Sequence, residues 1–176
     1  MANASPRLRE LKPAELTPAQ KTAYDAITAE LGNAFDGGPY PILLYYPGVA
    51  EGALRILKAF RIERKIDRKL YELAVLVVAK EWASEFEWRT HEPRAVAAGL
   101  KPEVCAALRA GTLPAFTADD ERVVYAVTKE MMATRALSQA THDEAARVLG
   151  TDKLVELVSA IGFYTMLAIT LAAFAP

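Results

Sequence analysis

Residues 70–79 read LYELAVLVVA, and this run limits the fold more than any other part of the chain. Wound as a helix it is apolar around nearly its whole circumference, with Glu72 as the exception. A helix without a polar face has to sit centrally, among other helices. Strand signals are nearly absent elsewhere. Only residues 41–47, PILLYYP, read as extended, fenced by Pro41 and Pro47.

Helix starts, by contrast, recur. Thr17-Pro18-Ala19-Gln20 is a capping box with proline at the first helical position. It opens a helix to about Gly32, with Ala23, Ala26, Ile27 and Leu31 on one face. Residues 33–39 form a glycine-containing loop. A second helix follows Pro47 and carries Leu54, Ile56, Leu57 and Phe60. Asp67 caps the central helix. Ser84-Glu85-Phe86-Glu87 has the form of another capping box, for a helix ending at Gly99. Pro102 starts a short helix ending near Gly111, and Thr117 a long one toward Ala136. Thr141-His142-Asp143-Glu144 caps a helix stopped by Gly150, and the last helix runs from Thr151 to about Phe174. The expected fold is all-α: one domain over residues 1–176, a bundle of seven or eight helices with short connections.

Charge and cysteine content narrow the function classes. The net charge is −1 with both signs interspersed, so no electrostatic footprint for nucleic acid is present. Cys105 is the one cysteine, which excludes an internal disulfide and a Cys-x-x-Cys redox pair. The first ten residues hold no apolar core of a secretory signal. Residues 157–176 carry no charge, and roughly twenty such residues can span a bilayer. They include Ser159, Gly162, Tyr164, Thr165 and Thr170, however, and lack a following basic flank. The expectation is a helix buried in a core or subunit interface of a cytoplasmic protein without a membrane partner.

The chemistry concentrates between residues 72 and 99. On a helix beginning near Ser84, positions 84, 87, 88 and 91 share one stripe, which reads Ser, Glu, Trp, His. A carboxylate one turn before a histidine can fix its tautomer and raise its basicity. Glu72, stranded among leucines and valines, needs a partner or a proton, and desolvation alone would lift its pKa well above the ordinary value. If the two neighbouring helices pack antiparallel, Glu72, Glu87 and His91 converge as an acid–base set, with Trp88 as an apolar wall. Glu85 and Glu92 face away and are expected in solvent. Each residue also has a structural reading. Glu87 can serve only as the third member of its capping box, Glu72 can pair with Arg68 one turn earlier, and His91 can be a satisfied interhelix histidine. A metal held by Glu72, Glu87 and His91 is the sharper alternative. It is disfavoured because bundle metal sites draw matched carboxylate–histidine motifs from two helix pairs.

Residues 68–79 (RKLYELAVLVVA) followed by residues 85–100 (EFEWRTHEPRAVAAGL) resemble the core of the carboxymuconolactone decarboxylase-like families, which include the alkylhydroperoxidase D-like proteins. The match covers about residues 67–112. Weaker similarity lies at Thr17-Pro18-Ala19-Gln20, Gly38-Pro39-Tyr40 and Ile161-Gly162-Phe163-Tyr164. The peroxidase branch carries Cys-x-x-Cys ahead of its histidine, at positions that here fall on Ser84 and Glu87. Thiol peroxidation needs both thiols, so that activity is not expected. The decarboxylase branch has Glu-x-x-x-His, as in Glu87 and His91.

The resemblance implies an alkylhydroperoxidase D-like helical bundle and a lyase that removes CO2 from a small carboxylated lactone, as in aromatic catabolism, with no cofactor and no metal. Its implied catalytic residues are His91, with Glu87 orienting it and Glu72 as a neutral donor or shuttle. Trp88, Ser84 and Tyr71 are the expected substrate contacts, and Arg89, Arg94 and Lys80 the candidates for a substrate carboxylate. A homo-oligomer, trimer or hexamer, is implied as well. A lactone hydrolase or isomerase with the same site, a peroxidase-like protein without thiols, or a non-catalytic binding or structural oligomer are the alternatives.

Overall fold

The structure is a computed structural model that describes residues 7–9, 11–32 and 37–174. Among these it is all-helical: nine α-helices and no strand. The chain divides into two compact units. One takes in the chain through Glu63 together with the stretch from Met166 onward; the other is Arg64–Thr165.

In the first unit, α1 (Pro18–Leu31) begins with the capping box expected at Thr17 and Gln20, each side chain meeting the other's backbone. It packs on α3 (Pro47–Ile62). Ala23 and Ile27 are buried on α1, and Ala50, Ala53, Leu54, Leu57 and Phe60 on α3. That is the i, i+3, i+4, i+7 stripe of an amphipathic helix. Ala26 and Ile56, expected on these inner faces, are exposed, each one position off its stripe. Glu30 of α1 pairs with Lys58 and Arg61 of α3 at 3.4 and 2.9 Å. The run at 41–47 is not extended. Residues Tyr40–Leu43 form a single helical turn, α2, because Pro41 sits in the first turn, where a missing N–H is harmless. Residues 33–36 of the expected loop lie outside the described residues, and Gly37 adopts φ 72°.

The second unit is organised around α4 (Arg68–Glu81), which packs on α5 (Glu85–Ala97), α6 (Pro102–Ala110) and α7 (Asp119–Thr134). Every residue from 70 to 79 is buried, as an apolar circumference demands. Each fully buried Leu or Val there contributes roughly 1.5–3 kcal/mol. Asp67 caps α4 by accepting from the Lys69 N–H at 2.8 Å. The connection to α5 is three residues long, with Ala83 at φ 50°, so the chain turns straight back. α8 (Gln139–Leu149) packs on α7. It starts a turn earlier than expected, capped by Ser138 rather than Thr141, since Glu130 accepts the Ser138 N–H and fixes the entry there. α7 likewise begins at Asp119 without a side-chain cap. α9 (Thr151–Phe174) has the expected bounds, with residues to 165 in the second unit. By length and composition it could cross a membrane, yet 44% of its most apolar window is buried.

Candidate active site

The α4–α5 turn brings Glu72 and His91 together. His91 Nδ1 lies 2.6 Å from Glu72 Oε2, and His91 Nε2 lies 3.4 Å from Glu87 Oε2. All three side chains are buried. The other Glu72 oxygen is 2.5 Å from Arg68 Nη2, an ion pair one turn apart on α4. So the Arg68 partnership and the His91 contact, alternatives in the sequence, are both made.

The electrostatics of this cluster revise the expected roles. Burial pushes the Glu72 carboxyl up, but the His91 hydrogen bond and charge, with Arg68 and Arg94, outweigh it and hold the pKa below the ordinary carboxylate value. Glu72 is therefore a carboxylate, not the neutral donor expected from desolvation alone. Burial pulls His91 down, and its hydrogen bonds to Glu72 and Glu87, reinforced by their charges, lift it above the ordinary value. The imidazole thus keeps its proton more readily than a free histidine. The short Glu72 contact sets its orientation, a role that the sequence had assigned to Glu87.

Ser84 precedes α5, but its side chain makes no capping bond. Glu87 instead points inward, so the apparent capping box is not formed. Ser84 Oγ and Glu87 Oε1 are both shielded from solvent without a hydrogen-bond partner. Trp88 is buried and donates its indole N–H to Glu92 at 2.9 Å, which draws Glu92 partly out of solvent. Glu85 is exposed as expected, paired with Arg89 and Arg109.

A cleft of about 260 Å³ opens beside this stripe, lined by Ala79, Lys80, Ala83, Ser84, Glu85, Trp88 and Arg109. It reaches Trp88 and Ser84 and stops there; Glu72, Glu87 and His91 do not line it. The Arg109 guanidinium lies 5.1 Å above the Trp88 ring, and Lys80 donates to the Arg109 carbonyl at 2.6 Å. Of the cations considered for a substrate carboxylate, Lys80 faces the cleft, Arg89 sits on exposed Glu85, and Arg94 acts on Glu72 through its charge.

Tyr164 of α9 was not among the expected site residues. Its ring stands edge-on to His91 at 5.0 Å, and its hydroxyl accepts a hydrogen bond from Tyr71 at 3.0 Å. Tyr71 is thereby turned toward the histidine's apolar wall and does not line the cleft. Burial, then the Tyr71 hydroxyl, pushes the Tyr164 pKa well up, so it stays a neutral phenol. The available signal was a tyrosine on the buried face of an otherwise apolar helix, whose hydroxyl must find a partner.

Both ring nitrogens of His91 face carboxylates, and no cluster of three metal-binding side chains occurs among the described residues. Cys105 is buried on α6, and burial pushes its thiol up to about 11. No family model, curated protein or solved structure matches this chain.

Proposed function

We propose that the chain is a carboxymuconolactone decarboxylase-like enzyme, a cofactor-independent lyase acting on a small carboxylated lactone. The observation that carries this reading is a proton-retaining imidazole locked between two buried carboxylates. The resemblance of residues 67–112 to that family is the second support.

The substrate sits in the cleft over Trp88, its carboxylate beside Lys80 and Arg109. The bond from the ring carbon to the carboxylate breaks, CO2 leaves, and the electron pair passes into the lactone as a dienolate. Protonation at carbon completes the reaction. Glu87 and His91 do not line the cleft, so the step requires the Ser84–Trp88 wall to part. His91 then supplies the proton through Glu87, whose Oε2 faces Nε2 and whose Oε1 has no other partner, and water restores it. Glu72 and Arg68 are positioning residues that hold His91 and keep it charged. General acid catalysis of this kind contributes roughly 10²–10⁴ in rate. A thiol peroxidase is disfavoured, because Ser84 and Glu87 replace the thiols and Cys105 is a buried, protonated thiol.

The same acid–base set would suit a lactone hydrolase or isomerase. A non-catalytic oligomer is favoured by one observation, the sealing of His91 from the cleft. Val155, Ile169 and Phe174 on α9 are exposed, apolar surface that suits a homo-oligomer; the trimer or hexamer and the cytoplasmic location rest on the family resemblance alone. CO2 release from a panel of carboxylated lactones separates these readings. The expected result is turnover by the wild type that falls by about 10²–10⁴ in His91→Ala with the fold retained. Loss of lactone without CO2 would point to the hydrolase or isomerase, and no change in any lactone would leave the non-catalytic reading.

A further inference from the structure

A second pocket, of about 470 Å³, lies away from the histidine cluster within the second unit, where the ends of α4 and α7 meet the middle of α9. Met131, Met132, Val158 and Ile161 give it an apolar floor, and Trp82, Thr165 and Arg135 supply polar groups at its wall. Arg135, Trp82 and Gly162 set what this pocket could hold. Arg135 ends α7 in the left-handed conformation, φ 63°, with its N–H bonded to the Met131 carbonyl, as helix C-termini commonly do. No hydrogen bond or ion pair engages its guanidinium among the described residues. Trp82 Nε1, shielded from solvent, has no acceptor. Gly162, an exposed position of α9 on the pocket's lining, has nothing within 4 Å of an added Cβ, so a larger side chain there has room to reach over the pocket.

We propose that this pocket binds an amphipathic monocarboxylate, with its hydrocarbon body against the two methionines and its carboxylate on Arg135. A pliant methionine floor with few polar groups suits an aliphatic or aryl-aliphatic body better than a sugar or nucleotide. Glu81, the acidic residue of the lining, is already paired with Lys129, so the cation left to recognise an anion is Arg135.

Isothermal titration of the intact protein with octanoate and with 1-octanol tests this, alongside Arg135→Gly and Gly162→Leu. Both substitutions favour the local backbone: glycine is at ease at positive φ, and leucine is the better helix former. Loss of binding is therefore not loss of fold, which thermal melting verifies. Octanoate should bind about tenfold more tightly than octanol, the scale of one hydrogen-bonded charge. Arg135→Gly should remove that difference and leave octanol unchanged, and Gly162→Leu should abolish both. No binding to the wild type, binding unaffected by Gly162→Leu, or octanoate affinity indifferent to Arg135→Gly each overturns the proposal. A change of mass by light scattering in Gly162→Leu, without octanoate binding by the wild type, would assign the pocket to contact between copies of the chain and overturn it as well.

Discussion

Two histidines in this chain each contact a carboxylate through Nδ1, and they differ in almost everything else. His91 meets Glu72 at 2.6 Å with side chains 4% and 0% exposed. His142 meets its neighbour Asp143 at 3.0 Å with side chains 53% and 63% exposed. The covalent chemistry is alike, so the contrast isolates surroundings. Two unit charges about 4 Å apart interact by about 1 kcal/mol in bulk water and about 4 kcal/mol at an effective dielectric near 20. Burial also carries a penalty for each charge left unpaired. The α4–α5 pair answers this with Arg68 and Glu87; the α8 pair needs no such support. A histidine beside a carboxylate becomes a site when the fold removes water and adds further charges.

The largest effect should come from Glu72→Ala, which strands His91 in the interior beside Glu87 and leaves the part-exposed Arg68 unpaired. Breaking a buried charged cluster from one side costs about 3–5 kcal/mol, readable in urea unfolding. A loss of under about 1 kcal/mol would put the cluster on the same footing as the surface pair. The pH dependence of stability sharpens the contrast next. His91, raised above 6.5 in the fold, contributes fully below that value and loses its contribution as pH rises through its folded pKa. Glu72, held below 4.5, contributes above that value and loses its share as pH falls through its folded pKa. Both shares are complete between about pH 4.5 and 6.5, so the urea midpoint should decline from pH 6 toward alkaline pH. A midpoint that rises over that range would contradict the raised His91 pKa.

Glu87→Gln is expected to act more gently, by about 1 kcal/mol or less, since its one contact with His91 is long. It should nevertheless lower the His91 titration midpoint in NMR and reduce any CO2 release; an unmoved midpoint would show that Glu87 does not act on the ring. Smallest of all is Asp143→Ala, for which thermal melting should show no change. Exposed pairs of this kind contribute little, and a clear fall in the melting temperature would undo the comparison.

The all-α fold was legible because α4 cannot be anything but an interior helix, and because Thr17, Asp67, Pro102 and Gly150 punctuate the chain as their chemistry requires. The meeting of Glu72, Glu87 and His91 was legible for a related reason: polar residues on an apolar stripe separated by a short turn have few places to go. The roles within it were not. Whether Glu72 stays ionised depends on a balance of burial against His91, Arg68 and Arg94, and distances decide that balance. Ser84 matched a capping pattern, yet Glu87 was drawn inward by His91, a tertiary preference that outweighs a local one. Ser138 and Thr141 offered two cap-like starts three residues apart, and Glu130 from the preceding helix selected the first. Tyr164 was hidden by separation: its Tyr71 partner is 93 positions away, and no local pattern reports such a contact. The misread turn at Tyr40–Leu43 shows that proline at both ends of an apolar run marks where a helix starts as readily as where a strand is fenced.

Cys105 has a use beyond its place in the core. As the one thiol of the chain, shielded on α6 and held protonated, it reacts with an alkylating reagent only when α6 parts from its surroundings. Its rate of labelling under native conditions is therefore a built-in clock for local opening. The same measurement in urea tells whether that helix loosens alone or only as the whole unit unravels.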